Sequence, residues 1–159
     1  MRSSQPVKKH IQLHTFVAAN AKHMIAKEFK PSKIEFAAIV YELGEVGDEF
    51  EVVAIKFMGE YGYGSAGNGD AAYMIAIRDY IVTCVLPSAL IFDLRELEYE
   101  WGSAIWDMFR CDEPFATIVS ERCNGFLTCG VAKPMFDDVD AALDYLRPRA
   151  IQYRTSLSE

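Results

Sequence analysis

Two β-rich runs, Ile34-Glu35-Phe36-Ala37-Ala38-Ile39-Val40-Tyr41 and Phe50-Glu51-Val52-Val53-Ala54-Ile55-Lys56-Phe57, flank the turn signal Gly44-Glu45-Val46-Gly47-Asp48. β-Branched and aromatic residues on both sides of a glycine-containing turn predict an antiparallel hairpin. A glycine-rich loop follows over residues 59–69, and Asn68-Gly69-Asp70 leads into apolar positions Met74, Ile77, Ile81 and Val85 at helical spacing. The spacing predicts an amphipathic helix over residues 71–85 with Asp70 as its N-cap. After the turn Leu86-Pro87-Ser88, the run Ala89-Leu90-Ile91-Phe92 ending in Asp93-Leu94 reads as a buried central strand. An acidic turn over residues 95–102 then opens a short helix over residues 103–109 that buries Ile105, Met108 and Phe109.

The second half repeats the alternation of element types. Phe115-Ala116-Thr117-Ile118-Val119 is a compact strand entered through Glu113-Pro114, and residues 124–131 predict a brief helix. Pro134-Met135-Phe136 is long enough only for a minimal edge strand, where proline is tolerated. Asp137 or Asp138 caps a last helix in which Val139, Ala142, Leu143 and Leu146 share a face, and Pro148 is expected to stop it, leaving a polar, frayed tail. Ahead of all this, residues 11–16 alternate like a strand and residues 17–29 have the composition of a short helix. The expected order after that piece is β-β-α-β-α-β-α-β-α, an α/β fold: a single-domain mixed β-sheet with a β-hairpin start and helices packed on it. The expected boundaries are an N-terminal extension over 1–31, the α/β domain over 32–150 and a polar tail over 151–159.

Composition narrows the function classes. At 159 residues and 51% hydrophobic the chain suits one domain with a proper core. A formal charge of −7 and a pI of about 5.0 argue against nucleic-acid binding, which needs clustered Lys and Arg to displace counterions. The acidic surface suits a cytoplasmic protein or the partner of a basic one. Cys84, Cys111, Cys123 and Cys129 form no C-x-x-C pair and lie in or beside apolar segments, so they are expected to be reduced, buried thiols. No apolar run approaches membrane-spanning length and no secretory h-region follows the first ten residues, so a cytoplasmic location without membrane contact is expected.

Candidate chemistry is sparse. Gly62-Tyr63-Gly64-Ser65-Ala66-Gly67 is a formal G-x-G-x-x-G, but Gly59-Glu60-Tyr61 separates it from the preceding strand and Asp70 would repel a phosphate at the helix start, so a recognition loop is the expected role. Cys123-Asn124-Gly125 follows a buried strand at a helix start, a geometry that lowers a thiol pKa and suits an acyl-transfer nucleophile, with a packed core thiol as the plainer expectation. His10, His14 and His23 include an H-x-x-x-H spacing without the glutamate of a metalloprotease; no metal and no cofactor are expected. Glu96, Glu98 and Glu100 recur with period two and form an acidic edge suited to a basic partner. Tyr61, Tyr63, Tyr99 and Trp101, residue types that anchor interfaces, gather near those acids, which makes Tyr61, Tyr63, Glu96, Glu98, Tyr99, Glu100 and Trp101 the candidate binding set.

The element order together with Phe92-Asp93-Leu94, the turn Leu97-Glu98-Tyr99 and the approach to the last helix, Phe136-Asp137-Asp138-Val139-Asp140-Ala141-Ala142-Leu143, resembles the STAS family, the small domains shared by sulfate-transporter tails and anti-sigma-factor antagonists. The resemblance spans residues 34–147. Trp101 and Gly102 stand where the antagonists carry an aspartate and a phosphorylated serine, and Ser103 stands at the position of a second serine. It is thereby marked as a candidate phosphosite, with a helix cap as the plainer role. The resemblance implies a non-enzymatic, cytosolic protein–protein interaction module, a STAS-like regulator acting through the loop over 59–69 and the turn over 96–103. Two alternatives stand beside it: an acidic inhibitor or immunity-type protein that blocks a basic toxin or enzyme, and a crotonase- or Clp-like enzyme with Cys123 at a strand–helix turn. The expected partner is a protein.

Overall fold

The computed structural model describes residues 30–44, 50–127 and 132–157. The expected strand over 11–16, the helix over 17–29, the three histidines, most of the hairpin turn and Cys129 lie outside the described residues.

The expected hairpin is present: β1 (Glu35–Leu43) pairs antiparallel with β2 (Phe50–Glu60), Ile39 opposite Ala54. Three further strands, β3 (Ala89–Glu98), β4 (Phe115–Ile118) and β5 (Met135–Phe136), join in parallel to give one five-stranded sheet in the order β1-β2-β3-β4-β5. The connections are α1 (Asn68–Val85), a 3-10 helix (Ala104–Phe109) and α2 (Asn124–Leu127), and α3 (Val139–Ser156) closes the chain. The molecule is the mixed α/β fold expected from the patterning, and each parallel step in it needs the crossover that the helical segments supply.

Both faces of the central strands are covered, which is why their sequences are apolar almost without interruption. Val53, Ile55 and Phe57 of β2 and Leu90, Phe92 and Leu94 of β3 face Ala71, Met74 and Ile81 of α1 and Ile105, Met108 and Phe109 of the 3-10 helix. On the reverse side, Val52, Ala54, Ala89, Ile91, Ala116 and Ile118 meet Ala142, Leu146 and Ala150 of α3. Alanines at five of those positions let α3 approach the sheet closely.

Several expectations need correction. β3 does not end at Asp93 but runs to Glu98, because a bulge sets Lys56 against Asp93 and Met58 against Glu96, leaving two residues of β3 opposite Phe57. The bulge resets the alternation, so Leu94 and Leu97, three residues apart, are buried in the same core. A three-residue gap between apolar positions looks like a turn in the sequence. Asp70 is not the N-cap of α1; Gly67 is, and the Asp70 carboxylate, in the first helical turn, accepts hydrogen bonds from the Gly62 amide at 2.9 Å and from the Ser32 hydroxyl. Asp138 does cap α3, accepting from the Ala141 amide at 2.8 Å.

α3 continues through Pro148 to Ser156, so the residues after 150 are mainly the last turns of a helix rather than a polar tail. Pro148 lies on the exposed side, where water reaches the carbonyl it leaves unbonded, while Leu146 and Ala150 hold the buried side. The Arg149 guanidinium stacks 3.6 Å from the centroid of the Tyr145 ring and donates to the Tyr145 carbonyl at 2.9 Å, bracing the turn that contains the proline. Cys84 is exposed on α1 and Cys111 half-buried, against the expectation of buried thiols; Cys123 meets it.

Arg78 was not foreseen as a core residue. It occupies the buried stripe of α1 and donates from Nη1 to the carbonyls of Asp107 (2.8 Å), Met108 (2.6 Å) and Arg110 (3.2 Å), while Nε and Nη2 hold Asp79. One guanidinium thus closes the carbonyl end of the 3-10 helix.

Candidate functional site

Parallel strands β2, β3 and β4 all point their C-terminal ends to one edge of the sheet, and the loops leaving them meet there. Backbone bonds carry the pairing past the strand ends: the Tyr61 amide donates to the Glu98 carbonyl at 2.9 Å and the Gly64 amide to the Trp101 carbonyl at 3.0 Å. On the other side, the Tyr99 amide donates to the Arg122 carbonyl at 3.1 Å. Three loops are therefore tied into one platform at the edge where open α/β sheets present their binding surfaces.

Aromatic side chains sort into two layers on this platform. Tyr61 and Tyr99, 5% and 2% exposed, form the lower layer with their rings 5.3 Å apart edge to face. Tyr99 also stacks on Phe126 at 4.3 Å, and its hydroxyl donates to the Gly102 carbonyl at 2.7 Å, an oxygen that accepts from the Trp106 indole as well. Tyr63 and Trp101, 68% and 60% exposed, form the upper layer with ring centroids 5.6 Å apart. Gly64, at φ +59°, makes this possible: a Cβ there would stand 2.8 Å from the indole Cζ3 of Trp101.

A cleft of about 350 Å³ opens beside the aromatic lip, lined by Glu60, Glu98, Glu100 and Glu121 with Tyr61, Tyr63, Tyr99 and Arg122. Arg122 stands 3.9 Å from Glu98, so four carboxylates face one guanidinium. Net negative potential over exposed aromatic rings favours a cationic side chain, through both charge and the ring quadrupole.

Of the residues expected to bind, the structure brings Tyr63, Glu98, Glu100 and Trp101 together on the surface. Tyr61 and Tyr99 belong beneath it as support. Glu96 is elsewhere: the bulge turns it to an ion pair with Lys56. Ser103 is exposed next to Trp101 and precedes the 3-10 helix without a side-chain cap bond, so the capping role is not fulfilled. Glu60, Glu121 and Arg122 were missed, although a signal existed: acids stand at or just past the ends of β2, β3 and β4, at Glu60, at Glu98 and Glu100, and at Glu121.

Burial and close neighbours shift the ionisable groups behind the face. Burial, then the neighbouring Tyr99 and Asp70, push the Tyr61 phenol up to about 12 against the opposing Ile105 amide. Asp93, buried in β3, feels burial pushing it up, but bonds from the Arg95 guanidinium (2.9 and 2.7 Å) and amide, with Lys56 nearby, hold it below the ordinary carboxylate range. The Cys123 thiol donates to the carbonyls of Leu94 and Leu97 at 2.8 and 3.1 Å, and burial pushes it up to about 11. It is a protonated core donor, the reverse of the activated thiol that its place near a helix start had raised as an option. In the glycine loop the Gly62 amide is already taken by the Asp70 carboxylate. Among the described residues no group of three or more His, Cys, Asp or Glu is placed to hold a metal, and no helix is long and apolar enough to cross a membrane. No protein-family model, curated protein or solved structure matches the chain.

Proposed function

We propose that this protein is a non-enzymatic, cytosolic protein-interaction module, a STAS-like regulator, that docks a basic segment of a partner protein on the face built from residues 60–64, 98–101 and 121–122. The observation that carries this reading is the pair of exposed aromatics in mutual contact, Tyr63 and Trp101, beside a four-carboxylate cleft on a platform already ordered by backbone bonds. Large exposed aromatics with few rotatable bonds anchor interfaces at low entropic cost, and a preformed platform reduces the ordering penalty of binding. Carboxylates around them steer a basic partner and select against acidic ones.

A second reading, an inhibitor or immunity-type protein that occludes a basic toxin or enzyme, draws on the same face and on the net charge of −7. The two differ in what binding does to the partner. Affinity capture with the wild-type chain and with Trp101→Ala and Glu98→Lys/Glu100→Lys variants, each shown to be folded by circular dichroism, tests the shared premise. The expected result is a stoichiometric basic protein retained by the wild type, lost from both variants and eluted by salt. Assaying that protein with and without the wild-type chain then separates a blocked enzyme from a regulated one. Equal retention by wild type and both variants would rule the face out.

A further inference from the structure

The acidic cleft and the start of the described chain meet at Glu60. That residue lines the cleft and also a second hollow of about 400 Å³ that it shares with Lys30, Ser32, Lys33 and Asp70. Ser32 pins the entry of the chain there, its hydroxyl donating to the Asp70 carboxylate and accepting from the Ile34 amide at 2.9 Å. Residues 1–29 therefore join the domain at the rim of the cleft, and their charge is opposite to that of the domain. Arg2, Lys8, Lys9, Lys22 and Lys27 stand against the single acid Glu28, so the total of −7 divides into +4 on residues 1–29 and −11 on the rest.

We propose that this basic N-terminal segment is itself an occupant of the docking face: Lys22 or Lys27 is placed in cis against Glu60, Glu98, Glu100 and Glu121, where it competes with the basic segment of a partner. The proposal rests on the reading of that face as a dock for basic segments and adds what regulates access to it. Charge favours it, because among the described residues only Arg122 answers the four carboxylates of the cleft, and it stands 3.9 Å from Glu98, beyond hydrogen-bond distance. Reach favours it as well. Glu60, Glu98 and Glu121 stand at or past the ends of the adjacent strands β2, β3 and β4, and a strand spacing of about 4.8 Å makes the cleft about 10 Å across. A chain spans at most about 3.6 Å per residue, so Lys27 is tethered within about 11 Å of Lys30 and Lys22 within about 29 Å, limits that bracket the cleft. So short a tether holds the effective concentration near the millimolar range, and contacts too weak to bind in trans are then made in cis. Tyr63 and Trp101 beside the cleft offer their rings to the ammonium group and the apolar stem of either lysine.

Carbodiimide joins amines to carboxylates that touch, without a spacer. Applied to the full chain at low micromolar concentration and followed by mass mapping, it is expected to link Lys22 or Lys27 to Glu60, Glu98, Glu100 or Glu121 within the monomer. Lys22→Glu/Lys27→Glu, in the full chain and checked by circular dichroism, is expected to abolish those links. A synthetic peptide of residues 1–29, titrated in trans and followed through Trp101 fluorescence in a Trp106→Phe background, should then bind this variant about threefold or more tighter than it binds the wild type, whose face is already occupied. Links from Lys22 and Lys27 to Glu35 or Glu42 of β1 instead of the cleft would overturn the proposal and place the segment along the sheet edge. Links confined to a covalent dimer would overturn it in favour of a second copy as donor. Equal peptide affinity for variant and wild type overturns cis occupancy and leaves the docking face standing. A peptide that binds neither up to about 1 mM overturns it too, and the capture assay with Trp101→Ala then decides the docking reading by itself.

Discussion

Gly64 holds the aromatic lip in place, and replacing it tests that arrangement directly. At φ +59° an L-residue meets its own carbonyl, at a cost of roughly 1–2 kcal/mol. The added methyl would also stand 2.8 Å from Cζ3 and 3.3 Å from Cε3 of Trp101, inside contact distance of both. Because Trp101 is 60% exposed, the indole can swing outward, giving up its contact with Tyr63, worth about 0.5–1.5 kcal/mol. Gly64→Ala is therefore expected to lose about 2–3 kcal/mol, equivalent to roughly 5–10 °C in thermal midpoint for a domain of this size. In a Trp106→Phe background, the emission of Trp101 should shift to the red and its quenching by acrylamide should rise. The two costs separate in a double-mutant cycle. With Trp101→Ala in place the steric part vanishes and only the backbone part remains, so Gly64→Ala should cost about 1 kcal/mol less there. Equal costs in the two backgrounds, to within about 0.3 kcal/mol, would refute the claim that the glycine exists to seat the indole.

Three other outcomes follow from the interior. Arg78→Met keeps the apolar stem but strips three carbonyls of their donor, and chemical denaturation should report a loss of about 2–4 kcal/mol, only partly restored by Arg78→Lys. Asp93 has a folded-state pKa below its unfolded value, so it contributes stability that is present above the ordinary value of 3.8 and is lost as pH falls through the depressed one; urea midpoints measured between pH 6 and pH 2 should fall less steeply for Asp93→Asn than for wild type. Under native conditions a thiol reagent followed by mass mapping should modify Cys84, which is exposed, and leave Cys123 unmodified until the chain is unfolded.

Element type and order are local properties, and they follow from patterning along the chain: the hairpin of β1 and β2, the buried β3, the minimal β5 and the Asp138 cap all appear where composition and spacing put them. The departures arise where a distant group outweighs the local signal. Pro148 fails to end α3 because Leu146 and Ala150 on the opposite side are already packed against the sheet. Asp70 leaves the capping position because the Gly62 amide, eight residues away, offers its carboxylate a better site. The bulge opposite Phe57 extends β3 beyond Asp93 and moves Glu96 off the acidic edge. The candidate site shows the same division. Its residue types were legible as acids and aromatics near glycine turns, but which tyrosines are exposed and which acids share a cleft depends on strand order. Sequential parallel pairing gathers Glu60, Glu98 and Glu121 at one edge from positions some forty and sixty residues apart. Side-chain burial and long-range proximity are set by the packing of whole elements, and no local window of the chain contains them.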